Sequence, residues 1–210
     1  MFVHYRTQGF ILRKEDRGEA DQLFTVYTKD FGKLEILGRA IRKISSKLRS
    51  GADIFYLSEI EFIQGKAHKT LTDAILIEKF SNLKSDLNKL KIAYKISQLL
   101  DNLVSGQESD EKIWQLLKET FRKLNKLEIK NWKLEIIYYY FFWNLISLLG
   151  YQPDIKNCTI QGKEINCDIV KIIKVILKKD WQILLRLKLE PIHLKLLKNL
   201  SKWYKIKVCD

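Results

Sequence analysis

The chain is 210 residues long, enough for one large domain or two small ones, and its 46% hydrophobic and 30% charged residues make an ordinary globular balance. That balance excludes a globally disordered chain. With 38 basic against 25 acidic side chains the net charge is +13, which attracts nucleic acid or an anionic surface and disfavours basic partners.

The excess is unevenly placed. Residues 1–80 hold 14 basic and 11 acidic side chains and residues 81–166 hold 13 and 10, a net of +3 each. Residues 167–210 hold 11 and 4, a net of +7, so a polyanion site can extend into the C-terminal fifth. Cys158, Cys167 and Cys209 are too few and too scattered for a disulfide framework, and an odd count fits a reducing, cytoplasmic location. The first ten residues lack a basic segment followed by an apolar one, so no signal peptide is expected. The most apolar run, Ile136–Leu149, contains Asn144 and falls short of the roughly 20 residues a bilayer span needs. It reads as a buried core helix.

From Arg6 to about Phe80 the pattern is short β runs separated by turns. Gly9–Arg13 gives a first strand, followed by a turn over residues 15–19. Leu23–Thr28 is rich in β-branched and aromatic residues, and residues 29–32 turn into Lys33–Leu37. The stretch Gly38–Gly51 comes next, with Arg39, Arg42, Lys43, Lys47 and Arg49 and no acidic residue. Three serines and two bounding glycines make it read as a long flexible loop, whose dispersed charge suits an elongated polyanion better than a small substrate. Strands over Ile54–Ile63 and about Lys69–Ile77 follow. Five short strands with hairpin-length links predict a small antiparallel barrel or sandwich, and five is the count of the OB-fold.

After Phe80 the apolar period changes from 2 to 3.6. Leu87, Leu90, Tyr94, Ser97, Leu100 and Val104 share one helical face. Residues 105–109 break the helix and Asp110 can cap the next, where Ile113, Trp114, Leu116, Leu117, Phe121 and Leu124 repeat at three and four. Asn131 can cap a third helix, apolar nearly all round and therefore expected at the centre of a helical domain. Residues 150–167 read as irregular and polar, and two helices close the chain at about Ile169–Lys178 and Pro191–Lys205. The expected fold class is α+β: an OB-fold barrel over residues 1–80 and an α-helical domain over 81–210.

Four stretches in this order resemble the RecO family of bacterial DNA-repair proteins. Gly9-Phe10-Ile11-Leu12-Arg13 with Gly18-Glu19-Ala20-Asp21 is similar to the family's GxxLR…GExD start. Tyr27-Thr28 with Phe31-Gly32-Lys33 resembles its T…GK hairpin, and Gly38-Arg39-Ala40 with Lys43 and Ser46 its basic loop. Leu149-Gly150-Tyr151-Gln152-Pro153-Asp154, then Cys158 and Gly162, resembles its LGY.P.L..C..CG segment. The resemblance implies binding of single- and double-stranded DNA, strand annealing and recombinase loading, without catalysis. It also implies two protein partners, RecR and the acidic, apolar C-terminal tail of single-stranded-DNA-binding protein, the tail docking among the helices between Leu87 and Leu149. Many family members carry a four-cysteine zinc site, which needs closely spaced pairs. Here Gln161 stands where a second ligand would sit and Cys167 is alone, so the expectation is no metal, no cofactor and a degenerate loop at about 150–167 held by packing.

The candidate DNA contacts are Arg13, Lys14, Arg17, Lys33, Arg39, Arg42, Lys43, Lys47 and Arg49, with Lys195, Lys198, Lys202 and Lys205 as a second stripe at helical spacing. Phe24, Tyr27 and Phe31 have the shape to stack on bases, but a small barrel needs large side chains inside, and core is the expected role. Enzymatic readings have little support. His4, His68 and His193 are isolated, and no GxxxxGK[ST] stretch occurs. The acids Glu108, Asp110 and Glu111 sit at a helix start, where they favour the dipole. Two alternatives share the charge pattern: an OB-fold RNA-binding or RNA-chaperone module, and an adaptor whose charge serves solubility.

Overall fold

The computed structural model describes residues 3–65, 68–128, 131–187 and 189–209. The chain forms two compact units, Met1–Ser85 with Ser97–Gln115 and Asp86–Ile96 with Leu116–Asp210.

The first unit is built on strands β1 (His4–Arg17), β2 (Asp21–Thr28), β3 (Gly32–Gly38), β4 (Leu57–Gln64) and β5 (Lys69–Glu78). They close a barrel in the order β1-β2-β3-β5-β4, the OB-fold expected from the sequence. β1 is long enough to serve two neighbours: residues 4–10 pair with β4 and residues 9–17 with β2. A register shift between Ile11 and Arg13 bends it from one partner to the other. Two short parallel pairings, Ile36 with Lys69 and Leu37 with Thr70, close the ring. Ile11, Phe24, Val26, Leu34, Ile36, Ile60, Phe62 and Leu71 fill the interior, with Tyr5 and Phe31 packed against them. β1 extends beyond the expected strand at both ends and runs through residues 15–17, whereas β4 starts later than expected, at Leu57, because Ile54 and Phe55 are turn.

Helices α1 (Ser81–Ser85), α2 (Leu87–Leu103), α3 (Glu111–Lys126) and α4 (Asn131–Leu148) follow. The α3 face is the expected one: Ile113, Trp114, Leu116, Leu117, Phe121 and Leu124 are all buried. The α2 face is the expected one only toward its C-terminal end, where Ser97, Leu100 and Val104 are buried. In the first half Leu87 and Tyr94 are 73% and 44% exposed, and burial falls on Lys89, Ile92, Ala93 and Ile96. Lys89 keeps its stem covered, its ammonium donating to the carbonyl of Asn125 near the end of α3. A lysine is not legible as core. Asp110 caps α3 as expected, its Oδ1 accepting from the backbone of Lys112 (2.7 Å) and Ile113 (3.0 Å). The expected cap by Asn131 lies outside the described side chains.

In the second unit α4 is the centre: Ile136, Ile137, Tyr140, Phe141, Trp143, Leu145 and Ile146 are essentially inaccessible. Helices α5 (Cys167–Leu177), α6 (Trp181–Arg186) and α7 (Pro191–Cys209) complete it. Six-residue α6, capped by Asp180 on the Ile183 amide, is too short to show a helical period in the sequence. The stretch expected to be irregular holds a small sheet of β6 (Ile155–Lys156), β7 (Thr159–Ile160) and β8 (Lys163–Glu164). Its second turn places Gln161 and Gly162 both at positive φ, the backbone of a tight hairpin. Cys158 and Cys167 are bonded to each other, so this loop is held by a disulfide as well as by packing, against the expectation from the scattered thiols. No described helix is long and apolar enough to cross a membrane.

Asn144, the polar residue in the apolar run, is 2% exposed and satisfied: its Nδ2 donates to the carbonyls of Tyr140 (2.9 Å) and Ile176 (3.1 Å), tying α4 to α5. Asn144→Ala removes the tie between α4 and α5 while the Ile176 carbonyl keeps the Lys179 amide (3.0 Å), and is expected to lower stability by about 1 kcal/mol in urea unfolding. An unchanged midpoint would mean that this bond holds nothing.

Candidate nucleic-acid interface

The cationic stretch between β3 and β4 is ordered, not the flexible loop expected from its composition. It is a series of turns ending in a 3₁₀ turn, Lys47–Ser50. The chain enters with the Ala40 amide donating to Asp21 Oδ1 (2.7 Å) and the Arg42 amide to the Ala20 carbonyl (2.9 Å). Ile41 then inserts into the barrel core at 1% exposure, and Leu48 packs against the same core. At the exit, Gly51 lies so close to β5 that a Cβ would stand 1.9 Å from the Ala74 carbonyl oxygen, and its own carbonyl accepts from the buried Ser58 hydroxyl (2.6 Å). No other residue fits there. The apolar residues that look incidental in the sequence are therefore the anchors, and the cations are what remains outside.

The nine barrel cations divide into two sets. Arg13 lies within reach of Glu15 (3.1 Å), Glu35 and Asp101 (both 3.9 Å) and donates to Thr25. Arg17 pairs with Glu15 (3.6 Å). Arg42 pairs with Asp16 (3.4 Å) and donates to the Gly18 carbonyl. Lys33 is half-buried, its ammonium shared between the Asp101 carbonyl (2.6 Å) and carboxylate (3.1 Å). Lys14 and Lys84 both bond Asp53. By contrast Arg39, Lys43, Lys47 and Arg49 are exposed and have no carboxylate in ion-pair range among the described residues. The uncompensated charge is on the loop.

Asp53 organises the flank of that loop. Burial works to raise its pKa, but hydrogen bonds from Lys14 and Lys84 outweigh burial and hold the carboxyl below its ordinary range. With Lys14, Arg42, Arg49 and Tyr56 it lines a polar concavity of about 380 Å³. On another face of this unit, Phe10 stacks on Phe80 (5.6 Å) and Tyr27 on Trp114 (6.5 Å). Burial, with the Asp110 charge, pushes the Tyr27 hydroxyl up to about 12. Phe24 and Tyr27 are thus enclosed and Phe31 is packed on Tyr5 and Phe62, so these rings are core. Gly32, in the T…GK hairpin, combines a positive φ of 61° with a Cβ position 2.4 Å from the Glu108 carbonyl oxygen, a requirement that only glycine meets.

The second stripe lies on α7. Lys198, Lys202 and Lys205 rim a groove of about 340 Å³ in the helical unit, floored by Tyr138, Tyr139 and Phe142 of α4, with Lys95 of α2 and Glu135 at its edge. Lys195 is exposed and does not line it. Burial raises the pKa of both tyrosines, which stay neutral donors. The sequence shows the lysines as a stripe and the run Ile136–Leu149 as a core helix, but not that the two meet, because pairing across helices is invisible to one helix's period. No group of three His, Cys, Asp or Glu able to hold a metal occurs among the described residues.

Comparison with known proteins agrees with this architecture. Residues 1–80 match the profile of the N-terminal part of recombination protein O, and residues 84–208 that of its C-terminal part. The chain belongs to the RecO family. It is 29% identical over 154 residues to a DNA repair protein RecO of Dehalococcoides mccartyi, covering 73% of this chain and 59% of that protein. Against the namesake of a Thermoanaerobacter species it is 27% identical over 161 residues, 77% of this chain and 64% of the relative. Against that of Desulforamulus reducens it is 31% identical over 161 residues, 77% and 61% of the two chains. The chain thus spans about three fifths of the length of the RecO relatives it matches.

The Asp53 arrangement is testable by pH. A carboxyl whose pKa is depressed on folding stabilises above its ordinary value of 3.8 and loses that contribution as pH falls through the folded value. Asp53→Asn is expected to cost about 1–3 kcal/mol at pH 7, and the gap from wild type is expected to close below that value. A gap that persists at the lowest pH would contradict the ion-pair account.

Proposed function

We propose that this RecO-family chain is a non-catalytic DNA-repair protein that binds single- and double-stranded DNA, promotes annealing and helps load recombinase in recombinational repair. The observation that carries the reading is the anchored loop with its four uncompensated cations, Arg39, Lys43, Lys47 and Arg49, at a barrel of the OB type. Such cations displace counterions from phosphates and lower the repulsion between two approaching strands, while base pairing supplies the sequence specificity. Arg13, Lys14, Arg17, Lys33 and Arg42 serve more weakly, since each must leave a carboxylate to reach a phosphate. The names of the relatives support the repair role.

For the partner tail, the groove between α4 and α7 has the matching chemistry: an apolar aromatic floor for apolar side chains and three lysines for acidic ones. We assign it to the C-terminal tail of single-stranded-DNA-binding protein, which makes Lys198, Lys202 and Lys205 tail contacts before they are DNA contacts. RecR is the second partner the family implies, and no surface is assigned to it.

In fluorescence anisotropy with single-stranded DNA, the four loop cations predict a slope of log affinity against log salt of about −3, from roughly −0.7 per phosphate. A flat salt response would refute phosphate binding, and tighter binding to RNA of equal length would favour the RNA-chaperone alternative. Reversing Lys198, Lys202 and Lys205 to Glu is expected to weaken a labelled tail peptide by at least about tenfold with DNA affinity unchanged. The opposite pattern would return the stripe to DNA.

A further inference from the structure

Ile44 is 94% exposed, the highest value among the large apolar side chains described. A lone exposed isoleucine is unremarkable on a protein surface. Its setting is what gives it meaning. It stands at the outer end of the loop whose neighbours on both sides, Ile41 and Leu48, are held by the barrel core. Two successive turns, closed by the Lys43 amide on the Ala40 carbonyl (3.1 Å) and the Ser46 amide on the Lys43 carbonyl (3.0 Å), hold that end out. Ser45 and Ser46 beside it are small, so the isoleucine projects. On either side of it along the same loop stand the uncompensated, exposed cations Arg39, Lys43, Lys47 and Arg49. A β-branched side chain has few rotamers, so the projecting surface is rigid.

We propose that Ile44 is an apolar wedge that inserts between adjacent bases of a DNA strand held by the surrounding cations; this rests on the DNA-binding reading above. Phosphate contacts bring the strand against the loop without fixing its bases. An isoleucine that makes no hydrogen bond has one favourable partner in that environment, the faces of neighbouring bases, and separating them relieves its exposure to water. The wedge is indifferent to sequence, since every base has an apolar face. Unstacked bases present their pairing edges to a second strand, which is what annealing requires.

The test uses the full chain and a single strand carrying 2-aminopurine, whose fluorescence is quenched by stacking and released when a neighbouring base is displaced. Anisotropy of an end label reads binding in the same samples. Wild type is expected to raise 2-aminopurine fluorescence severalfold at saturation. Ile44→Ser is expected to bind within about threefold of wild type, because the cations remain, and to lose the fluorescence rise. Ile44→Phe is expected to restore it. A normal rise with Ile44→Ser, or wild-type binding without any rise, would overturn the wedge while leaving DNA binding intact. Absence of binding at low salt would overturn the DNA reading, and the wedge with it.

Discussion

The contact of Gly51 with the Ala74 carbonyl, together with Ile41 in the barrel core, fixes both ends of the cationic loop. Everything proposed for this unit depends on that attachment. A loop of the same composition left free would spread its charge over many geometries and lose conformational entropy on binding. Attached to the barrel, Arg39, Lys43, Lys47 and Arg49 are carried on a backbone already in place, and binding need order only their side chains. The glycine is required by the closeness of two backbones, and the isoleucine by the interior volume it fills.

Neutralisation decides the rest. The first three strands hold four candidate cations against the loop's five, yet Glu15, Asp53 and Asp101 take up the strand set and Asp16 takes Arg42 from the loop. Exposed ion pairs of this kind contribute little to stability, but each lowers the charge available to a phosphate. Asp101, in the stretch after the barrel strands, takes up Lys33 and thereby ties the T…GK hairpin to its own unit. The basic face is thus narrower than the sequence suggests and is set by where the acids are. The helical unit follows a different logic: its lysines surround aromatic rings, so charge and apolar surface occur together.

Much of the fold was legible. The change of period at Phe80, the five strands and the α3 face could all be read from apolar spacing, because each is a local pattern. Where reading failed, the cause was tertiary. In the first half of α2 Lys89 takes a buried place that its charge disguises, because its ammonium finds a carbonyl on another helix. Ile54–Tyr56 has strand-like residues but spends them in turns that bond back to Ile11. The β6–β8 sheet, with two-residue strands, is too short to alternate visibly, and Cys158 and Cys167 meet only because that sheet folds back on α5. At the candidate interface the cations were legible, whereas their division into paired and unpaired sets was not, since the carboxylates concerned lie as far as 88 positions away, as between Arg13 and Asp101. Ile44 was passed over because a single apolar residue in a polar stretch has no period.

The most direct test of the account is to compare two variants of equal charge change in DNA affinity. One carries Arg39, Lys43, Lys47 and Arg49 changed to Gln; the other carries Arg13, Lys14, Arg17 and Lys33 changed to Gln. The account predicts that the loop variant loses about a hundredfold or more at moderate salt with a nearly flat salt response, while the paired-set variant stays within about threefold of wild type. Equal losses in both variants, or a loop variant that binds like wild type, would contradict it.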